Sequence, residues 1–447
     1  MITFPAPICA MIAELEKHGF TTFLVGGCVR DFLLEIKPHD YDIATSATPD
    51  EIMNIFGEEH CSFYGRAFGT VGVKYQGEFA EITTFRTEGN YTDSRHPDSV
   101  AFTTEPLEDM SRRDFTCNAI AYHPQNGLFD PFHGEDDLKN GILRAVGNPS
   151  ARFEEDALRI MRGMRFYSKF GLKPEPLTDS AMREYAPNLE KISVERVFTE
   201  LCGMLTGEHI TEVLLQYPEI LAVWIPEIMP CVGFEQHSRH HDFTVWEHIA
   251  RTVGNIAPEL TFRLTMLLHD IAKPCCYTRD ERGGHFKGHA QLGAKMADEI
   301  LKRLRCDNQL RERVCTLIDY HRETPATLPR VRTILGIIGE EAFRQYLQVL
   351  KSDNISKLKG EPEQGDEIRI QEANRLLQKC LDEHLCCTLK DLAINGNDVM
   401  KLGIAGQNIG EALHTGLTAV IEEQIPNEKD DLLQFITEKY KIPYQSE

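Results

Sequence analysis

The chain runs to 447 residues, 42% hydrophobic and 26% charged, with a formal net charge of −21. That length exceeds what one hydrophobic core organises and predicts about two to four folded units. No apolar run approaches the ~18 residues that a membrane helix needs, which excludes a spanning helix and a membrane as partner. The acidic balance excludes non-specific polyanion binding, so a nucleic-acid site has to be a local basic patch. The opening "MITFPAPICAMIAELEKHGF" lacks the basic region and long apolar core of a secretory signal, and the expected location is the cytoplasm. Thirteen cysteines without a C-x-x-C couple are expected to be reduced thiols.

In chain order, "TTFLV", "YDIAT", "GTVGVKY" and "AEITTF" are short alternating or β-branched runs between glycine-rich turns, which predicts an α/β unit to about residue 145. From about Ala151 the pattern turns helical, as in "EEDALRIMRGMRFYSKFG" and "SVERVFTELCGML". The expected fold class is α+β, a sheet-containing head followed by an all-helical remainder. Proline and glycine clusters at Gly171 to Pro176, Pro226 to Gly233 and Lys359 to Gly365 mark the expected joints.

"LVGGCVRDFLL" puts Gly26 and Gly27 between a strand and a helix, where backbone amides can face a phosphate and Arg30 can supply charge to a triphosphate. Alone, a double glycine there is equally a tight turn. "HDYDIAT" then holds Asp40 and Asp42. Two apart on a strand, their carboxylates share a face and can hold one or two Mg2+ ions, which prefer oxygens shared between carboxylates and substrate phosphates. An isolated D-x-D also serves as a turn cap beside a solvated aspartate. Glu81, in "AEITTFR", is either a third carboxylate or a solvated strand glutamate.

Together these segments resemble the first motif of the DNA polymerase β nucleotidyltransferase superfamily. More closely they resemble bacterial class II tRNA nucleotidyltransferases, the CCA-adding enzymes, and their poly(A) polymerase relatives. The resemblance implies a polymerase β-like head with a mixed sheet, Asp40 and Asp42 as catalytic holders of two Mg2+ ions, ATP and CTP as incoming nucleotides, and tRNA as partner. In "SRRDFTCNAIAY", expected to open a helix, Arg112 and Arg113 can clamp phosphates while Asp114 and Asn118 face a ribose. The family uses this element on the incoming nucleotide. "LFDPFHGEDDLKNGILRAVG" is similar to the connector closing the head, with Asp130 at its fixed aspartate.

"EEDALRIMRGMRF" is expected to be a single helix on which Asp156 and Arg159, three apart, share a face, with Arg162 and Arg165 continuing a basic stripe toward the nucleotide. An aspartate beside an arginine can act as a protein template. Cytosine and adenine each offer an amino donor next to a ring-nitrogen acceptor, which Asp156 and Arg159 match. Uracil and guanine present the reverse order and are rejected, each buried mismatch costing on the order of a few kcal/mol. The resemblance gives Glu155, Asp156 and Arg159 this template role. "ISVERVFTELCGML", with Glu195 and Arg196, is similar to the family's next helical motif and is expected to support the site.

Between Glu81 and Arg112, a polar segment containing "SRHPDS" is similar to the flexible loop of enzymes that add the terminal A, with His96 where a second arginine is common. CC-only enzymes lack that loop. "YGRAFGTVGVKY" after the first motif and the ending "EKDDLLQFITEKYKIPYQSE" lack the arginine-dense stretch and basic tail of poly(A) polymerases, which favours the tRNA enzyme. A-only addition stays open.

Further on, His248, the adjacent His269 and Asp270, and Asp353 resemble the H…HD…D ligands of HD phosphohydrolase domains, which implies a divalent transition metal. His289 and His321 are available for a second ion, while His237, His240, His241 and His285 are expected to be satisfied or solvated. The resemblance divides the chain into a head over residues 1–145, a neck over 146–235, an HD domain over 236–358 and a tRNA-gripping tail over 359–447. Two other classes compete: a metal phosphohydrolase with an inactive head, against which the intact Asp40/Asp42 pair argues, and a non-enzymatic RNA-binding protein, against which the acidic charge argues.

Overall fold

The computed structural model describes residues 4–62, 68–88, 100–238, 241–281, 283–360 and 364–441. The loop sequence "SRHPDS" with His96, as well as His240, falls outside them. The chain divides into two compact units, Met1–Pro226 and Glu227–Glu447.

Up to Phe129 the described residues of the first unit form nine short strands: β1 (Thr22–Val25), β2 (Asp42–Thr45), β3 (Cys61–Ser62), β4 (Thr70–Tyr75), β5 (Glu78–Thr84), β6 (Arg86–Glu88), β7 (Val100–Phe102), β8 (Ala121–His123) and β9 (Gly127–Phe129). Seven of them form one sheet in the order β3-β4-β5-β2-β1-β8-β9, and β6 pairs with β7 separately. The sheet is mixed, because β2 and β5 run parallel while β1 is antiparallel to both β2 and β8. Inward residues alternate with outward ones along β5, as a half-buried strand requires. Val25, Ala44, Phe85, Met110 and Ala121 pack into one buried cluster that anchors the strand ends carrying the site. Helix α1 (Gly27–Leu33) follows β1 directly.

Local structure departs from expectation in three places. Asp40 lies in a bend, and β2 begins only at Asp42, so the two aspartates do not alternate along one strand. Arg112 and Arg113 follow a helix, Pro106–Ser111, and the residues after them make a 3-10 turn, Thr116–Asn118, that feeds β8 rather than a new helix. The side chain of Asp114 accepts from Phe115 N–H and Asn118 Nδ2, holding this turn, and the sheet takes the apolar residues beyond it. Finally, the expected single helix is two, α2 (Pro149–Glu155) and α3 (Leu158–Phe170), broken at Asp156, which is extended with φ −145 and ψ 100. Asp156 Oδ1 accepts from Leu158 N–H at 3.0 Å, the local alternative to helix that aspartate favours.

Helix α3 packs on α4 (Val194–Leu205) and on the head, with Phe115 edge-on to Phe166 at 5.7 Å. The chain after β9 is mostly helical, though short ladders join Ile142–Leu143 to Lys173–Pro174 and Thr278–Asp280 to Gly283–His285.

The second unit contains α5 (Val245–Gly254), α6 (Leu260–Leu268), α7 (His289–Arg303), α8 (Asn308–Tyr320), α9 (Leu328–Ile355) and α10 (Gln364–Asp382). Helix α9 is interrupted at Gly339, whose φ of 79 suits a glycine. Its buried Arg332 donates to the carbonyl of Cys386 at 2.6 Å and to that of Val420 at 2.9 Å, tying it to a terminal cluster that includes Leu392, Val399, Leu432 and Ile436.

Candidate active site

In the first unit, a cleft of about 330 Å³ is lined by Gly26, Gly27, Asp42, Arg112, Arg113, Asp114, Asn118, Asp156, Leu158, Arg159, Arg162 and Arg196. Gly26 has φ +70, and a Cβ there would sit 3.1 Å from Arg113 Nη1 and 3.7 Å from Asp42 Oδ2. Only glycine permits that approach of backbone, carboxylate and guanidinium.

Asp42 lies opposite Glu81 in the β2–β5 ladder. Burial first, then the charges of Asp40 and Glu81, push its carboxyl up to about 6, against the pull of Arg113. A buried carboxyl raised further by two neighbouring carboxylates is one whose charge a divalent cation would relieve. Carboxylate oxygens are the donors Mg2+ takes, although those of Asp40, Asp42 and Glu81 do not all lie within 4.8 Å of one another as the ligand groups of the second unit do.

The arginines are held by acids. Buried Asp109 takes Arg112 on Oδ1 at 2.6 Å and Arg113 on Oδ2 at 3.0 Å. Asp109 was not among the expected site residues, although its spacing of three and four before the arginines was readable. Arg162 Nε donates to Asp114 Oδ2 at 2.8 Å. Burial pushes the Asp114 carboxyl up, but the Arg162 charge and hydrogen bonds from Asn118, Arg162 and Phe115 N–H outweigh it and bring it down to about 2. A depressed carboxylate stabilises the fold above the unfolded value near 4, and that contribution is lost as pH falls from there toward about 2. Asp114→Asn is expected to remove about 2 kcal/mol of stability at pH 7 and to flatten the acid limb between pH ~4 and ~2, measured by urea unfolding across pH.

Asp156 and Arg159 both line the cleft, brought there by the helix break. Arg196 Nη2 donates to Asp156 Oδ2 at 2.8 Å, and Glu155 Oε2 accepts from Arg159 Nη1 at 2.7 Å. Arg159 Nη2 also donates to the Arg112 carbonyl at 3.1 Å, linking the two arginines across the cleft lining. Two expected nucleotide contacts sit elsewhere. The buried Arg30 guanidinium is committed to Asp31 at 2.6 Å and Asn118 Oδ1 at 2.8 Å and lies 4.5 Å from the centre of the Phe170 ring. Arg165 pairs with Glu200 at 2.5 Å and lies 4.7 Å from the Phe166 ring centre. Neither lines the cleft. Asp130 caps the next helix, accepting from Gly134 N–H at 2.8 Å and Glu135 N–H at 2.9 Å.

The second unit gathers His248, His269, Asp270 and Asp353 in one buried group, and Asp270, His289 and His321 in another, the ligand atoms of each within 4.8 Å of one another. Each of the four rings sets Nδ1 on a backbone carbonyl: His248 on Ser356 at 3.1 Å, His269 on Met266 at 2.7 Å, His289 on Phe286 at 2.5 Å and His321 on Ile318 at 2.6 Å. Their Nε2 atoms face inward, 3.4 Å apart for His248 and His269 and 3.3 Å apart for His289 and His321. Asp270 bridges the two pairs, with Oδ2 3.2 Å from His269 Nε2 and Oδ1 3.2 Å from His289 Nε2. Neither of its buried oxygens receives a hydrogen bond of good geometry, although Lys273 Nζ lies 2.6 Å from Oδ2.

Two pairs of inward-facing imidazole nitrogens around one buried carboxylate, whose oxygens lack a well-formed hydrogen bond, make a donor set that fits metal. Burial opposes charge on His269, yet Asp270 and Asp353 raise it to about 9. A cleft of about 500 Å³ opens beside this cluster, lined among others by His241, Lys273, Arg322 and Lys357. His241, expected to be satisfied or solvated, instead has a buried Nδ1 without a hydrogen bond and a pKa lowered to about 2 by burial and then by Lys273 and His248.

A mixed sheet presenting Asp42 and Glu81 beside a glycine turn and an arginine-lined cleft defines a nucleotidyltransferase head. Residues 22–144 match the family model of the poly A polymerase head domain, residues 171–231 that of the RNA and SrmB-binding site of polymerase A, and residues 288–436 that of tRNA nucleotidyltransferase domain 2. The chain is 30% identical over 434 residues to a CCA-adding enzyme of Staphylococcus saprophyticus, covering 95% of this chain and 96% of the other. It is 31% identical over 433 residues to one of Streptococcus agalactiae, covering 95% of each. The crystal structure of the Bacillus stearothermophilus CCA-adding enzyme in complex with CTP superposes with a TM-score of 0.70 at 27% identity over 98% of both chains. The chain belongs to the bacterial class II CCA-adding enzymes.

Proposed function

We propose that this nucleotidyltransferase extends the tRNA 3′ end with C, C and A, taken from CTP and ATP, and releases pyrophosphate. The observation that carries the reading is one cleft in which Asp42, flanked by Asp40 and Glu81, faces Arg112, Arg113 and Arg162 together with the Asp156/Arg159 pair. Two Mg2+ ions would be held by Asp40 and Asp42, with Glu81 beside them, and would supply activation of the 3′-hydroxyl and neutralisation of the leaving group. Arg112, Arg113 and Arg162 bind the triphosphate, Asp114 and Asn118 orient the ribose, and Asp156 and Arg159 read the base. Arg30 acts through Asn118, which it holds by a hydrogen bond.

Residues 1–145 serve as catalytic head, 146–235 as base-reading neck, and 359–447 as tRNA grip, in the cytoplasm where tRNA matures. The test offers purified protein tRNA lacking CCA, CA or A with each nucleotide and reads product length. Stepwise C, C, A addition is expected, and addition of A alone or of nothing overturns the reading.

Residues 236–358 support a second activity, metal-dependent phosphoester hydrolysis, because Asp270 bridges two histidine pairs next to a cleft lined by Lys273, Arg322 and Lys357. The ions would be divalent transition metals on imidazole and carboxylate ligands. Asp270→Asn is expected to lose the metal found by elemental analysis and hydrolysis of a model phosphate ester, with nucleotide addition unchanged.

A further inference from the structure

The sheet continues past the catalytic carboxylates on the side away from the nucleotide cleft, and that flank carries its own surface. Register places Ser62, Gly72, Glu81 and Asp42 in one row across β3, β4, β5 and β2. Phe79, on the same outward face of β5 as Glu81, is 51% exposed. Its ring does not project into solvent alone. It lies over Gly72, where a Cβ would meet its Cζ at 2.7 Å. The bare glycine floor lets the ring lie over the strand residue that is paired with Glu81. Lys74, the cross-strand partner of Phe79, is exposed on the same face.

The cleft with Gly26, Gly27 and the arginines lies on the β1 side of Asp42, and Phe79 lies on the β5 side. In-line displacement at the α-phosphate needs the attacking hydroxyl and the leaving pyrophosphate on opposite sides of the reacting phosphorus. The triphosphate occupies the β1 side, so the attacking strand end arrives from the β5 side, over Glu81 and the Phe79 ring. An exposed aromatic ring beside a lysine is the surface on which single-stranded nucleic acid stacks and has its phosphate neutralised. Sequence tolerance follows, because every base offers a π face. That suits a primer whose last nucleotide changes at each addition.

We propose that Phe79 is the stacking platform for the 3′-terminal base of the RNA primer, with Lys74 on its phosphate. The proposal rests on the reading of the head as a tRNA-extending enzyme. The experiment measures ATP addition to tRNA lacking only the terminal A. Phe79→Ala and Phe79→Leu are expected to raise KM for tRNA tenfold or more while KM for ATP stays within about twofold, and Phe79→Trp is expected to restore it. The leucine variant keeps Gly72 covered and so separates stacking from folding. Lys74→Ala should lower the slope of log KM against log salt by about one. Fluorescence of 2-aminopurine at the primer end should be quenched by the parent protein and by Phe79→Trp, and not by Phe79→Leu. An unchanged tRNA KM in Phe79→Leu overturns the proposal. A dimer dispersed by Phe79→Ala would instead assign the ring to a contact between copies. A parent protein that adds nothing to any tRNA overturns the underlying reading.

Discussion

Asp42→Asn is expected to abolish nucleotide addition and at the same time to stabilise the metal-free protein. Both effects follow from the same crowding of charge. Holding a metal at the reacting phosphate supplies several kcal/mol, and at ~1.4 kcal/mol per tenfold the loss of about 4 kcal/mol slows addition on the order of a thousandfold or more. The stability effect has the opposite sign. Burial, Asp40 and Glu81 raise the Asp42 carboxyl from 3.8 to about 6 in the folded state. As pH rises through that window the unfolded chain ionises first, and the fold loses on the order of 2 kcal/mol that it does not regain at neutral pH. Asparagine has no charge to suppress, so the variant should melt above the parent in chelator at pH 7 and equal to it near pH 4. Single-turnover extension and thermal melts at the two pH values check the pair of outcomes. An inactive variant that is also less stable at pH 7 would mean that the three carboxylates do not repel one another as the fold arranges them.

What the sequence made legible depended on how local the cause was. The sheet could be read because its strands are half buried and alternate, and Gly26 and Asp42 could be read because a tight turn and a strand start follow from residues next to them. The break at Asp156 could not. Apolar residues continue in helical rhythm across it, from Phe153 through Ala157 to Ile160, all buried. The extended conformation is held by Leu158 N–H on one oxygen and by Arg196, from a different helix, on the other. The seat of Arg30 was hidden for the same reason, since the rings of Phe166 and Phe170 against its guanidinium lie far along the chain. The histidines of the second unit could be named from the sequence, but the role of Asp270 as a bridge depends on where five separate segments meet.

The break also determines how base choice should respond to mutation. Both Asp156 oxygens already accept a hydrogen bond, so Asp156→Asn must turn its NH2 toward either Leu158 N–H or Arg196, and the variant mixes lost orientation with altered reading. Arg159 gives the cleaner experiment. In the proposed template its guanidinium would donate to a ring nitrogen of C or A and would meet the N–H of U or G, a clash worth on the order of a few kcal/mol when buried. Arg159→Ala removes the favourable donor for CTP and ATP and the clash for UTP and GTP in one step. The kcat/KM ratio of CTP over UTP is therefore expected to fall on the order of a hundredfold, mostly through loss on CTP, without reaching unity, because Asp156 still repels the uracil carbonyl. Glu155→Gln supplies the contrast. It loosens the Arg159 head from its 2.7 Å ion pair but leaves both template groups in place. It should lower CTP and ATP use about equally and move the ratio over UTP little. Competition between labelled CTP and UTP on tRNA lacking CCA reads both variants, and an unchanged ratio in Arg159→Ala would remove Arg159 from base selection.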